Sequence, residues 1–245
     1  MKIGIAVVWA CFLSPERGQA EDRIELNKDN PVVGEIISFK NDLITVKTAR
    51  GVYPVAMAGV KSVAMDPRPE LEQAVQAMDK EDFARVVELL APVRENFLGL
   101  PVPWVAEAAG YLADALAAQG KTFESEALGK EILRLYPDSV FRFKGVLAQV
   151  RTALAEKKND EALRLLEEVR AAIPPEAVPD AQKMQILGDM HLLLAEMALQ
   201  KGDKQQALEH YLLVHTVYHK PERRAERALA EADKIRQADA GMHVR

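Results

Sequence analysis

Residues 188–221, GDMHLLLAEMALQKGDKQQALEHYLLVHTVYHKP, constrain the fold more than any other stretch of the chain. Leu192, Leu194, Ala195, Met197, Ala198 and Leu199 give a first helix an apolar side, with small residues where a second helix must come close. Gly202 breaks that run, and Asp203 directly after it suits the N-cap of the next helix. Ala207, Leu208, Tyr211, Val214 and Val217 then form the apolar stripe of a second helix, which Pro221 closes. Such a hairpin cannot bury its apolar face alone, so the chain must supply stacked neighbours.

Three further stretches repeat the second-helix pattern. Residues 157–174, KKNDEALRLLEEVRAAIP, place Ala162, Leu166, Val169 and Pro174 at matching positions. Residues 120–137, GKTFESEALGKEILRLYP, do so with Gly120, Ser125, Ile132 and Pro137, with Gly129 where a larger residue is usual. Residues 82–93, DFARVVELLAPV, carry Phe83, Val86, Leu90 and Val93, and Pro92 is expected to bend or shorten that helix. Val86, Ser125, Ala162 and Ala207 are 39, 37 and 45 residues apart, and the Pro-rich stretch 173–179 lies in the last gap.

These features together resemble the tetratricopeptide repeat (TPR) family, over roughly residues 70–221. The likeness departs from the family in the late position of Pro221 and in His191, which stands where an early aromatic is usual. The resemblance implies a mainly α protein: an α-solenoid of about four hairpins over residues 67–236, its end covered by a capping helix. Ala225, Ala228, Leu229, Ala232 and Ile235 would form the apolar stripe of that cap. Arg223, Arg224 and Arg227 read as its solvated face, and residues 237–245 as a fraying tail. The resemblance further implies a concave groove lined by the first helix of each hairpin. Its exposed positions would be Glu107 and Asp114, then Lys144, Leu147 and Arg151, then Asp189, Leu192 and Glu196. Both charge signs with Leu among them suit an extended peptide or a helix as partner.

Upstream, the hydrophobic period changes from helical to two. RIEL, VVGEIISF, LITVKTA, GVYPVAM and VKSVAM, within residues 21–66, predict four or five short strands with turns at Asn41-Asp42 and Arg50-Gly51. The stretch from Gly34 onward is similar to small SH3-like and Sm-like barrels, which implies a bent strand after the glycine. Six cations (Arg23, Lys28, Lys40, Lys47, Arg50, Lys61) meet seven anions (Glu21, Asp22, Glu25, Asp29, Glu35, Asp42, Asp66) there. With a net charge of -5 over the whole chain, neither an electrostatic footprint nor a stacking platform for nucleic acid is expected. The connector 66–70, DPRPE, marks the boundary to the helices. Trp104 is expected to anchor the second hairpin by burying its indole.

Residues 1–20 read as a cleaved secretory signal: a Lys, an apolar run over 3–13, and small residues Gly18 and Ala20 before the cut. A periplasmic or secreted protein beginning at Glu21 is therefore expected, with no transmembrane segment after cleavage. Lipid attachment at Cys11, the only cysteine, is the competing reading.

No constellation for catalysis stands out. Glycines are scattered at turns rather than gathered in a phosphate loop. His215 and His219 share a helix face without an acidic companion, which gives no basis for a metal site. The chain thus reads as a non-enzymatic protein-binding scaffold without cofactor or metal, acting in the cell envelope. A second reading has the β domain contact a membrane-associated complex while the repeats give rigidity.

Overall fold

The computed structural model describes residues 21–174, 180–219 and 222–242. The expected signal segment with Cys11, residues 175–179 of the Pro-rich stretch, and Pro221 lie outside these residues. The described chain is mainly helical, with a small antiparallel sheet ahead of the helices.

Five strands form that sheet: β1 (Asp22–Leu26), β2 (Val32–Lys40), β3 (Leu43–Thr48), β4 (Gly51–Ala56) and β5 (Val60–Ala64). Their order is β4-β3-β2-β1-β5, which leaves β4 and β5 as the two edges. Asn41 and Asp42 take φ values of 51° and 58°, the left-handed pair that a two-residue hairpin turn between β2 and β3 demands. The first part of β2 pairs with β1 (Asp22↔Gly34) and the rest with β3 (Glu35↔Lys47), with a register shift between Ile36 and Ser38. A Cβ at Gly34 would lie 2.4 Å from the Lys47 carbonyl oxygen, so the crossing of β2 over β3 requires glycine there. Ile24, Ile36, Ile44 and Val46 fill the inner face.

The helices are α1 (Pro69–Asp79), α2 (Phe83–Phe97), α3 (Pro103–Ala118), α4 (Thr122–Leu135), α5 (Arg142–Ala155), α6 (Asn159–Ala172), α7 (Ala181–Gln200), α8 (Lys204–Thr216) and α9 (Glu222–Met242). Pro69 and Pro103 open α1 and α3, where the missing N–H has no intrahelical partner to lose. Asp82, Asp180 and Asp203 cap α2, α7 and α8 by accepting from the backbone N–H of Arg85, Lys183 and Gln206. The α7–α8 turn is the one expected, with Gly202 at φ 79° ahead of the Asp203 cap. Gly188, however, lies inside α7, which begins at Ala181. At the other end α9 continues to Met242, past the expected end at 236.

Pro92 does not cut α2 short. The buried stripe Val86, Leu89, Leu90, Val93 and Phe97 runs through it on both sides. Each such side chain contributes about 1.5–3 kcal/mol on burial, so together they outweigh the roughly 3 kcal/mol cost of an interior proline.

Each helix packs on the next in sequence, and α3 also packs on α1 and α5, and α5 on α7. Between α4 and α5, Gly129 and Gly145 face each other so closely that a Cβ on either would meet the other's carbonyl oxygen at 2.8 and 2.5 Å. The small residue at 129, in place of a larger one, is what lets these backbones touch.

The sheet is fixed to the helices by an apolar joint. β2 packs on α2, and Phe39 lies against Gly99. Trp104 is buried as expected, edge-on to Phe97 at 6.1 Å, and its Nε1 donates to the Met65 carbonyl at 3.0 Å. Beside it Arg68 of the connector pairs with buried Asp22 at 2.7 Å, and Asp22 also accepts from the Ile36 N–H. One apolar cluster runs from Ile24 in the sheet to Met197 in α7, and a smaller one joins α7, α8 and α9 around Tyr211 and Val214.

Candidate functional site

α3, α5 and α7 carry the eight residues expected to line a groove. The structure gathers them on neighbouring helices but does not leave them all exposed. Lys144 and Leu147 are 0% exposed, Asp114 5% and Asp189 6%. Glu107, Arg151 and Leu192 are half-buried, and only Glu196 is exposed. The expectation of exposure is therefore corrected for Asp114, Lys144, Leu147 and Asp189. Their helices approach closely, and the polar groups among them find partners in each other before they find solvent.

The result is a chain of alternating charges. Arg151 donates to Asp114 at 2.6 Å, and Lys144 Nζ lies 3.5 Å from the other oxygen of Asp114. Lys144 also donates to Asp189, whose second oxygen takes Arg224 of α9 at 2.9 Å. Arg224 further donates to the Gln185 carbonyl at 3.0 Å, and Gln185 donates to the Tyr111 hydroxyl. The Lys144 ammonium sits 4.7 Å above the Tyr111 ring. Two glycines make the passages. At Gly110 a Cβ would come within 2.6 Å of the Lys144 side chain, so Lys144 crosses α3 only because that residue has none. At Gly188 a Cβ would meet the Arg224 guanidinium at 3.0 Å.

Arg151, Lys144 and Arg224 alternate with Asp114 and Asp189, and the ionisation follows from burial set against these opposite charges. Burial opposes the charge on Lys144, but Asp189 and Asp114 overcome it and hold the ammonium above its ordinary range. Burial likewise opposes the Asp189 carboxylate; Arg224 and Lys144, with Arg151 behind them, hold it below the usual value. Burial pushes Tyr111 up to about 12, so it stays a neutral phenol. It also raises Glu107, against the pull of Lys144 and a bond from Gln185. Lys144 is thus a charged structural group and not the neutral amine that nucleophilic chemistry requires.

Above this chain is a cavity of about 170 Å³ lined by Val75 and Met78 of α1, Tyr111, Asp114, Lys144, Arg151, Asp189 and Leu192, and by Arg223, Arg224 and Arg227 of α9. The three arginines do not all form the solvated face expected of a cap. Arg224 is 11% exposed, while Arg223 and Arg227 reach across to Asp79 at 3.8 Å and Glu81 at 2.8 Å. Nothing in local spacing signals this, because the partners of Arg223 and Arg227 lie more than a hundred residues away in sequence and those of Arg224 on another helix.

A larger cleft, about 790 Å³, lies on the sheet between Val33, Lys47, Arg50, Tyr53 and Arg68. Its charges are largely neutralised by the pairs Arg68–Asp22 and Lys47–Glu35. The adjoining edge strand carries Pro54, which blunts strand addition. We place the site at the smaller cavity, where unlike charges from α1, α3, α5, α7 and α9 converge.

His215 and His219 do not share a helix face, because α8 ends at Thr216 and His219 lies beyond it. His215 contacts the Ala225 carbonyl at 3.3 Å, and it is His191 and His210, on α7 and α8, whose Nδ1 atoms meet at 3.1 Å. His191 also stacks on Tyr218 with ring centroids 5.0 Å apart. Burial, then His210 and Arg170, bring His191 down to about 4, and burial lowers His210. Among the described residues no cluster of three metal-ligating side chains occurs, and no helix is long and apolar enough to cross a membrane. No protein-family model and no curated protein matches the chain.

Proposed function

We propose that the protein is a non-enzymatic, protein-binding scaffold whose helices form a TPR-like α-solenoid, with an SH3-like β domain at its N-terminal end. The observation that carries this reading is the convergence of α1, α3, α5 and α7 on one cavity that presents both charge signs beside apolar Val75, Met78 and Leu192. In a stack of hairpins these are the first helices of each unit, and their shared side is where a peptide would lie. Packing of each helix on its successor, and of α3 on both α1 and α5, agrees with such a stack. The partner would be a peptide or a helix, met by Arg151, Leu192 and Glu196 rather than by the buried pairs beneath them. Export to the periplasm through a cleaved leader, and action in the cell envelope, belong to the same proposal.

Affinity capture from solubilised envelope, with residues 21–245 as bait, tests it. A partner retained by the parent and lost by a folded Leu192→Asp, Glu196→Arg variant supports the cavity as the working surface. A partner held equally by both moves the function to the β domain, where the reading of a subunit docked on a membrane complex takes over. The intact mass of the exported protein tests the leader: a chain beginning at Glu21 supports it, and a lipid-modified Cys11 overturns it.

A further inference from the structure

The cavity of about 170 Å³ is smaller than pockets that hold even a modest ligand, so an extended peptide enters only if its walls part. The walls are not equally fixed. α3, α5 and α7 are tied by the buried charge chain and by the continuous apolar cluster. α9 is held to α7 and α8 through Arg224 and the packing of Ala228, Ala232 and Ile235. Across the mouth, between the α1 end of the array and α9, the described contacts are of another kind. Arg223 pairs with Asp79 and Arg227 with Glu81, with side-chain exposures of 59% and 20%, and 63% and 54%. Among the described residues, neither apolar cluster includes side chains of both α1 and α9.

We infer that the seam between α1 and α9 is an ionic latch: paired charges from the first hairpin and the last helix close the cavity, and it opens when those pairs are screened or outcompeted. Exposed ion pairs contribute little individually and weaken with salt, so this joint is softer than the apolar one between sheet and helices. Glu81 itself sits at φ 58°, a left-handed conformation uncommon for a non-glycine residue, at the turn between α1 and α2. That turn, which presents the acidic half of the latch, is tied by the Glu81 and Asp82 N–H groups donating to the Met78 and Ala77 carbonyls at 3.0 and 2.9 Å. An incoming segment would meet Arg223 and Arg227 as they leave Asp79 and Glu81, so opening and first contact would be one event.

The test needs no partner, which keeps its outcome separate from that of the binding proposal. Full-length protein with Cys11→Ser, Lys80→Cys and Glu226→Cys is spin-labelled, and the distance between labels is measured by pulsed electron resonance. Lys80 and Glu226 are both exposed and lie next to the pairs without belonging to them. In low salt a single short distance is expected. A second, longer population should appear at roughly 0.5 M salt, where screening acts within a few ångströms. The same longer population is expected for Arg223→Glu, Arg227→Glu in low salt. Adding Asp79→Arg and Glu81→Arg to that variant restores opposite charges in exchanged places and should bring back the short distance. Unchanged circular dichroism and melting temperature confirm that each variant is folded. A distance indifferent to salt and charge reversal overturns the latch, because packing alone would then set the seam. Opening that the exchanged charges fail to reverse overturns it as well, since the arginines would be acting elsewhere.

Discussion

The molecule closes its two ends by opposite means. At the N-terminal joint the sheet meets α2 and α3 through Trp104, Phe97, Phe39 and Gly99, with one buried ion pair, Arg68–Asp22, alongside. At the α1–α9 seam the ends of the helical array meet through solvent-exposed charges. Apolar burial is non-directional and does not fade with salt, so the first joint should behave as a fixed weld. Charge pairing is screened, so the second should behave as a contact under negotiation with solvent. The buried charge chain lies between these extremes: it is ionic, yet shielded from the solvent that would weaken it.

The contrast can be tested from its strongest side first. Trp104→Ala removes the indole from the weld and its bond to Met65; a loss of about 3–5 kcal/mol in urea unfolding is expected. Trp104→Phe should recover a good part of it, and an alanine variant within error of the parent would mean that the sheet and helices do not share a core. Next come the two sides of the charge chain, which are not equivalent. Asp189→Asn deprives Lys144 and Arg224 of the buried carboxylate they share, and a loss of about 3–5 kcal/mol is expected. Lys144→Met leaves two matched pairs, Arg151–Asp114 and Arg224–Asp189, so its cost should be smaller, about 1–3 kcal/mol. Equal losses in the two variants would break the claim that the shared carboxylate matters more than the lysine it holds.

The histidine pair gives a prediction in pH. Its members are more easily protonated in the unfolded chain, where the ordinary value is 6.5, than in the folded one, where His191 titrates at about 4. The unfolded state therefore takes up protons first as the solution is acidified. The share of the stability due to His191 is complete above about pH 6.5 and is lost as the pH falls towards about 4, amounting to about 3 kcal/mol. Denaturation of the parent and of His191→Phe at pH 7.5 and 4.5 checks this, since phenylalanine keeps the stack on Tyr218 but not the titration. A parent no more acid-sensitive than the variant would refute it. Smallest of all, Arg227→Gln should change stability by less than about 0.5 kcal/mol, as exposed pairs usually do.

Much of the fold could be read from residues alone. Gly202-Asp203 announced a turn and a cap because both act through the local backbone, and Asn41-Asp42 announced a hairpin for the same reason. The strands followed from a period of two. The site was legible in part: spacing put Asp114, Lys144, Arg151 and Asp189 on related helix faces, but spacing shows which residues share a face and not what stands opposite. Lys144 looked like a groove cation because a fully buried lysine is rare, and the carboxylates that permit it come from two other helices. Arg224 and the His191–His210 contact were missed because each depends on how α7, α8 and α9 meet. Pro92 shows the reverse: its penalty is visible locally, whereas the burial on either side that outweighs it depends on what α2 packs against.

Gly110 ties two distant positions into a single unit of variation. Because the stem of Lys144 runs through the space a methyl group would occupy at 110, the two residues cannot drift independently. An alanine at 110 would be tolerated only where position 144 had become short, and a short 144 would leave Asp189 to Arg224 and Asp114 to Arg151. Among descendants of this sequence, glycine at 110 and lysine at 144 should be inherited together or replaced together. A chain that kept the helices but broke that couple would have given up the charged interior for a different one.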